Sequence, residues 1–400
     1  MSKQYMNIFE RITKQKVPVI IFGAGYAGQV ILNTCIDHNV EIAAFCDNKK
    51  NYSGQFMLGH RIIHSSELHD LFPEAIFIIS AADINDVVIQ LNDLHYSQWH
   101  AGGDILKFAE IGKHKYDTEF SFLDYAVSTC IQCHDAYQSP DKLFLRSVDI
   151  VITEKCSMRC KDCSNLMQYY EKPVNYDAAE LTASLESFFS HIDQVNEFRV
   201  IGGEPFMNKH ISETIDWLNN QEKVGRVIIY TNGTILPKGQ TLECLKNKKV
   251  MMMITDYDEL SKNHDRLIGT LDEHNIEYHT DKAQNWTDCA SIKEHNRSIE
   301  SQKEVFKNCC AKCLFTIMDG KFYRCPFSAH VDKLRATPLY EDDYVDLLSS
   351  SKELGHKIKE FIFNKDYLNS CDYCVGRFLS DKKITPGIQV SEPLKFKQYS

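Results

Sequence analysis

Four hundred residues, 43% of them hydrophobic, are enough to fill two or three separate cores. The formal net charge of −10, spread without long like-charge blocks, argues against nucleic acid or an anionic membrane as the main partner, and no apolar run reaches the length of a membrane span. Fifteen cysteines, odd in number and clustered, point to metal ligation in a reducing cytoplasm rather than to a disulfide framework, and Met1-Ser-Lys-Gln-Tyr5 lacks the apolar core of a signal peptide.

The fold class is α/β. In the first region, residues 1–110, Val17-Pro-Val-Ile-Ile-Phe22 reads as a buried strand, Gly23-Ala-Gly25-Tyr-Ala-Gly28 as a tight turn and Gln29 to His38 as a helix. Glu41-Ile-Ala-Ala-Phe-Cys46 is a second strand ending at Asp47. Arg61-Ile-Ile63 and Ile76-Phe-Ile-Ile79 are further strands, with helical stretches after Ser66 and Asp83. The alternation predicts a Rossmann-like parallel sheet. Gly23, Gly25 and Gly28 stand between strand and helix, as a dinucleotide fingerprint requires, and Asp47 is placed to bond ribose hydroxyls. The region is about half of a complete dinucleotide fold, so a nucleotide or nucleotide sugar competes with a ligand-free scaffold as its reading.

Residues 111–145 read as a connection. From 146 to 300, strands are expected at 147–153, 197–201, 224–231, 250–255 and 276–280, with helices at 177–192, 208–221, 238–248 and 258–274. This repeating unit predicts a partial (β/α)6 barrel with its active site at the C-terminal strand ends. Three motifs fall at those ends. Cys156-Ser-Met-Arg-Cys160-Lys-Asp-Cys163 follows the apolar run Val148-Asp-Ile-Val-Ile152. Three thiolates so spaced can hold three irons of a cubane cluster and leave the fourth open to an exogenous ligand. Arg199-Val-Ile-Gly-Gly-Glu-Pro205 ends the next strand, and Thr231-Asn232-Gly233 the one after.

With these residues the chain resembles radical S-adenosylmethionine (SAM) enzymes. The resemblance implies a [4Fe–4S] cluster on Cys156, Cys160 and Cys163 whose open iron chelates the SAM methionine. It implies reductive cleavage of SAM to a 5′-deoxyadenosyl radical and hydrogen abstraction from a substrate carbon. In that setting Gly202 and Gly203 let backbone groups approach the methionine, Glu204 accepts from its ammonium and Pro205 stiffens the turn. Thr231, Asn232 and Asp256 are candidates for the ribose, the carboxylate or the substrate. A reducing electron donor, such as a flavodoxin or ferredoxin, and a small-molecule substrate follow as partners. Many family members carry an aromatic residue just before the third cysteine, where Asp162 stands here. A structural zinc site is the alternative for the three cysteines, although zinc usually takes four protein ligands.

Residues 301–385 are cysteine-rich. Cys309-Cys310-Ala-Lys-Cys313 precedes two apolar runs that flank Asp319-Gly320, a hairpin signal, and Cys325-Pro326 follows. Cys371-Asp-Tyr-Cys374 comes much later. Cys310, Gly320, Cys325, Cys371 and Cys374 meet the pattern C-x9-G-x4-C, gap, C-x2-C, which resembles the twitch (SPASM-like) auxiliary module of radical SAM enzymes. That implies a second [4Fe–4S] cluster on Cys310, Cys325, Cys371 and Cys374, with Cys309 or Cys313 as alternatives to Cys310. A four-cysteine zinc knuckle is the competing reading. Residues 386–400, with Lys395 and Lys397, read as a solvated tail.

The stretch from Phe22-Gly-Ala-Gly25 to Asp47-Asn48 resembles Rossmann-like modules of nucleotide-sugar enzymes. The leading substrate class is therefore a sugar or nucleotide-linked sugar, oxidised or epimerised. Peptide or protein modification is the runner-up, and a non-catalytic iron–sulfur sensor is a reading of another class. Trp286 lies where packing or substrate contact is expected. Cys35, Cys46, Cys244 and Cys289 read as buried small hydrophobes. Cys130-Ile-Gln-Cys133-His134 matches a haem-attachment pattern and is read as chance or as loop thiols.

Overall fold

The computed structural model describes residues 7–378 and 382–399, and the chain forms two compact units, Met1–Lys142 and Leu143–Ser400. In the first, five parallel strands run in the order His60–His64, Ala44–Asp47, Val19–Phe22, Ile76–Ile79, Trp99–Ala101, with Phe56–Met57 antiparallel at one edge. Neighbouring residues of the central strands face opposite ways. Val19, Ile21 and Ile78 enter one apolar cluster, and Ile20, Phe22, Phe77 and Ile79 enter the other. Both faces are covered, which is why these strands read as unbroken apolar runs. Helix Tyr26–Asp37 supplies Val30 and Ile31 to the first cluster, and helix Ile84–Asp93 supplies Val88 and Leu91 to the second.

The stretch expected as a connection holds a helix of 18 residues, Phe120–Tyr137. Leu123, Val127 and Cys130 recur at helical spacing and pack into the first cluster, so this helix belongs to the first unit. Cys130 and Cys133 therefore lie on a buried helix face, not in a loop.

The second unit is built on an eight-stranded sheet. Its order is Tyr278–Lys282, Val250–Asp256, Val224–Thr231, Gln194–Gly202, Phe144–Thr153, Phe315–Met318, Lys321–Tyr323, Tyr344–Asp346. The first six are parallel. Five of them follow one another in the chain, with helices Ala178–Phe189, Ile211–Asn219, Gln240–Cys244 and His264–Glu273 between. The sixth parallel strand comes from the hairpin and pairs with the other side of Phe144–Thr153. The sheet stays open at both ends, so the barrel is partial. Trp286–Thr287, which follows the fifth strand, pairs instead with Lys383–Ile384 in a separate ribbon. The hairpin turn has φ of 53° at Asp319 and 76° at Gly320, the left-handed pair that two-residue hairpin loops favour. The Phe188 ring lies tilted 5.1 Å from Phe322 and edge to face 6.3 Å from Phe198, which ties helix, hairpin and sheet into one core.

Candidate active site

The strands Phe144–Thr153, Gln194–Gly202, Val224–Thr231 and Val250–Asp256 are parallel neighbours, so their C-terminal ends share one edge. The cysteine loop leaves the first. Buried Thr153 fixes its start: the hydroxyl donates to Asn175 Oδ1 at 2.6 Å and accepts from Lys155 N at 3.0 Å. Gly203 N donates to Thr153 O at 3.1 Å and Glu204 N to Lys155 O at 2.8 Å, stitching the second strand end to the loop. A Cβ on Gly202 would lie 2.2 Å from Thr153 O, and one on Gly203 2.2 Å from Lys155 O. These glycines are required by the approach of two backbone segments, and both also line the cavity beside them.

Glu204 is fully buried and lies outside that cavity's wall. Its Oε1 accepts from Thr231 Oγ1 at 2.9 Å and Phe206 N at 3.3 Å, and its Oε2 from Asn232 N at 2.9 Å. Desolvation pushes its pKa up to about 7, against the pull of these donors. The carboxylate faces the third strand end and holds Thr231 and Asn232 in place. Asn232 passes the contact on: its Nδ2 is 3.1 Å from Ser157 Oγ and 3.7 Å from Cys156 Sγ. Pro205 is buried at the first position of a short helical turn, Pro205–Met207. Asp256 caps Asp258 N at 2.8 Å, while its neighbours Thr255 and Tyr257 line the cavity.

The cavity, about 320 Å³, brings Cys156, Cys160 and Cys163 together with Gly202, Gly203 and Asn232. Burial pushes the Cys156 thiol up to about 12 and Cys163 up to about 11, with Cys160 raised in the same sense. Alone these thiols stay protonated, and a cationic centre is needed to hold them as thiolates. Nitrogens are aimed at the sulfurs: Met158 N at Cys156 (3.5 Å) and Gln389 Nε2 at Cys160 (3.2 Å). Such N–H···S contacts are those that iron–sulfur thiolates accept. Among the described residues no three His, Cys, Asp or Glu side chains converge as a single metal ion requires. Cubane ligands each bind a different iron.

The rest of the wall is charged and aromatic. Arg199 Nε donates to Asp149 Oδ1 at 2.6 Å across neighbouring strands, and the Asp149 side chain is only 4% exposed. Desolvation pushes Asp149 up to about 6, with Arg199 opposing. Arg377 shares the wall, and its Nε and Nη2 lie 3.2 and 3.0 Å from the sulfur of buried Cys289. Tyr257 and Trp286 meet edge to face with ring centroids 6.0 Å apart. Asp149, Arg199 and Arg377 escaped sequence reasoning. The signal was present: one charged residue interrupts each of two apolar runs, Val148-Asp149-Ile150 and Phe198-Arg199-Val200, at positions in register.

The second cysteine set is assembled from three segments. Cys325 caps helix Pro326–Lys333 and its sulfur accepts from Ser328 N at 3.4 Å. Arg297 clamps the Cys371–Cys374 loop through both cysteine carbonyls, at 2.7 and 2.8 Å. Gly376 N is 3.4 Å from Cys374 Sγ, and Ala311 N 3.4 Å from Cys309 Sγ. Burial raises the pKa of the Cys325, Cys371 and Cys374 thiols. Cys309, Cys325, Cys371 and Cys374 are all partly buried. Cys310 and Cys313 are exposed, and the main chain of Cys310 is turned to Arg377 O at 3.0 Å. One apolar cluster, containing Leu166, Tyr170 and Val331, packs against Cys156 and Cys163 and also against Cys325 and Cys374.

In the first unit a Cβ on Gly28 would lie 2.2 Å from Gly23 O, and one on Gly23, at φ +112°, 2.4 Å from Ser80 Oγ. Gly25 faces open space. Both Asp47 oxygens serve the turn: Oδ2 accepts from Ala24 N and Oδ1 from Lys49 N, each at 2.9 Å. The strand order reverses between Val19–Phe22 and Ile76–Ile79, the switch point where such sheets bind ligands.

Residues 150–284 match the family model of the Radical SAM superfamily, and residues 14–101 match that of C2185-like, N-terminal. The GTP 3′,8-cyclase of Sulfurovum sp. (strain NBC37-1) is 28% identical over 123 residues, 29% of this chain and 36% of that protein. The mitochondrial GTP 3′,8-cyclase of Arabidopsis thaliana is 29% identical over 133 residues, 31% of this chain and 34% of its own. The chain thus matches about a third of the length of these relatives. Among solved structures, BtrN in complex with AdoMet and 2-DOIA aligns with a TM-score of 0.39 and 15% identity, over 62% of this chain and 97% of that one. Streptococcus suis SuiB bound to S-adenosylmethionine aligns with a TM-score of 0.31 and 14% identity, over 50% and 45%. The fold is α/β, with a cysteine loop at the C-terminal edge of its parallel sheet. Residues 150–284 form a radical SAM domain, a kind of domain that implies a [4Fe–4S] cluster and SAM.

Proposed function

We propose that the chain abstracts a hydrogen atom from carbon in a hydroxyl-bearing small molecule, a sugar or nucleotide-linked sugar, which it oxidises or epimerises. The observation that carries this reading is the buried Asp149–Arg199 pair, with Arg377, in the same cavity as the three cysteines. A buried ion pair contributes little net stability, so its presence in a barrel interior points to ligand recognition. A carboxylate beside guanidinium groups offers acceptors and donors together, which suits hydroxyls.

Cys156, Cys160 and Cys163 hold the cluster, which when bound with SAM supplies the 5′-deoxyadenosyl radical. Gly202, Gly203, Thr231 and Asn232 form the floor for SAM, with Glu204 acting through Asn232. Tyr257 and Trp286 offer the adenine an aromatic surface in place of the residue replaced by Asp162. Asp149 accepts the hydroxyl proton if the product is a ketone. Cys309, Cys325, Cys371 and Cys374 would hold a second [4Fe–4S] cluster able to take up an electron, and a flavodoxin or ferredoxin would reduce the first. On the first unit, the open face at Gly25 receives a nucleotide. Among the described residues no helix is long and apolar enough to cross a membrane, and we place the protein in the cytoplasm.

The test is anaerobic 5′-deoxyadenosine formation by reconstituted, reduced protein with a pool of nucleotide sugars, and separately with GTP, the substrate named for the curated relatives. Formation that rises with the sugar pool supports the reading. A rise with GTP alone moves the substrate class, and no formation from fully loaded protein favours the sensor.

A further inference from the structure

Residues 382–399 are docked, although Lys395 and Lys397 do point into solvent with 88% and 68% of their side chains exposed. Leu394 N donates to Gln168 O at 2.8 Å, Phe396 meets the Tyr169 ring at 5.5 Å, and Tyr399 N donates to Arg335 O at 2.8 Å. Upstream of these anchors the segment crosses the cysteine loop. Lys161 N donates to Ile388 O at 2.7 Å, Val390 N to Arg159 O at 2.9 Å, and Arg159 Nη1 to Ser391 O at 2.9 Å. Gln389 lies between these bonds and bridges to Cys160.

The orientation of the Gln389 amide is fixed by its partners. Arg159 N is a donor, and it lies 2.7 Å from Oε1. Nε2 therefore carries the two remaining contacts, to Gly387 O at 2.7 Å and to Cys160 Sγ at 3.2 Å. We propose that Gln389 is a positioning residue for the SAM cluster: its amide, strapped across the cysteine loop, donates to the Cys160 thiolate and raises the cluster's reduction potential. A reduced cluster carries one more negative charge than an oxidised one, so a fixed N–H donor stabilises the reduced form more. The backbone strap alone would order the loop, and the side chain adds the donor. The inference rests on the reading of Cys156, Cys160 and Cys163 as cluster ligands.

The experiment is an EPR-monitored redox titration of the reconstituted full chain, following the cluster signal that SAM addition perturbs. Gln389→Leu, with unchanged iron content, is expected to be about tenfold less reduced at a fixed potential, a midpoint about 59 mV lower. Equal midpoints at equal iron content overturn the proposal. Where the variant loses iron, wild-type protein carrying ¹⁵N in its glutamine side chains decides, measured without SAM by pulsed EPR. An altered nitrogen coupling to the reduced cluster supports the donor role, and an absent one overturns it. A wild type with no SAM-sensitive cluster signal fails earlier, at the ligand reading itself.

Discussion

The two cysteine sets of the second unit are built on opposite plans. Cys156, Cys160 and Cys163 sit on one loop, and three strand ends hold that loop through Thr153, Gly203, Glu204 and Asn232. Cys309, Cys325, Cys371 and Cys374 come from a helix end, a helix start and a separate turn clamped by Arg297. In the first set the chain supplies the geometry locally and the sheet secures it. In the second the fold must bring distant pieces together, so any cofactor there also staples the fold.

That contrast is broken most sharply by removing a ligand from each set. Cys163→Ala should abolish 5′-deoxyadenosine formation and lower iron by about four atoms per chain. Cys371→Ser should remove a similar amount of iron and lower the thermal midpoint, yet leave SAM cleavage measurable. Iron analysis beside a deoxyadenosine assay separates them. Full iron content in Cys371→Ser would sink the second cluster, and loss of all iron in either variant would sink the division into two sets.

A smaller effect tests the cavity wall. Asp149→Asn leaves Arg199 charged, buried and unpaired, which is expected to destabilise the second unit by about 3–5 kcal/mol in denaturant unfolding. The double replacement Asp149→Leu with Arg199→Met should restore most of that stability while activity stays lost. Recovery of both together would mean that the pair serves only packing.

What was legible in the sequence follows the same division. The cysteine loop, the Gly-Gly-Glu-Pro stretch and the Asp319-Gly320 hairpin are local, and each carries its reason in adjacent residues. The unbroken runs Val19–Phe22 and Ile76–Ile79 announce strands covered on both faces. The Asp149–Arg199 contact depends on strand register, and the Gln389–Cys160 contact joins residues 229 apart, so spacing alone is silent on both. Cys309 is the C-cap of helix Ile299–Asn308 and Cys310 follows it, a helix boundary that cysteine spacing does not reveal. Helix Phe120–Tyr137 did have a readable stripe in Leu123, Val127 and Cys130, diluted by the polar and aromatic residues between them.

The smallest expected effect concerns the clamp between strand ends. Glu204 has a pKa raised from an ordinary 4.5 to about 7 by desolvation, so the folded chain holds a proton there that the unfolded chain releases between those values. Its contribution is fully present below pH 4.5 and is lost as pH rises through 7, with a ceiling of about 3 kcal/mol at about 1.4 kcal/mol per tenfold. Glu204→Gln cannot titrate, and it has one acceptor oxygen for Thr231 and Asn232 where wild type has two, a loss of about 1–3 kcal/mol. The variant should therefore be less stable than wild type at pH 5, and the gap should narrow towards pH 8. Thermal midpoints of the cluster-free chain across that range check this. A gap that does not change with pH would show that Glu204 is ionised throughout. The strand ends would then be joined by a permanently charged clamp, with no proton held between them.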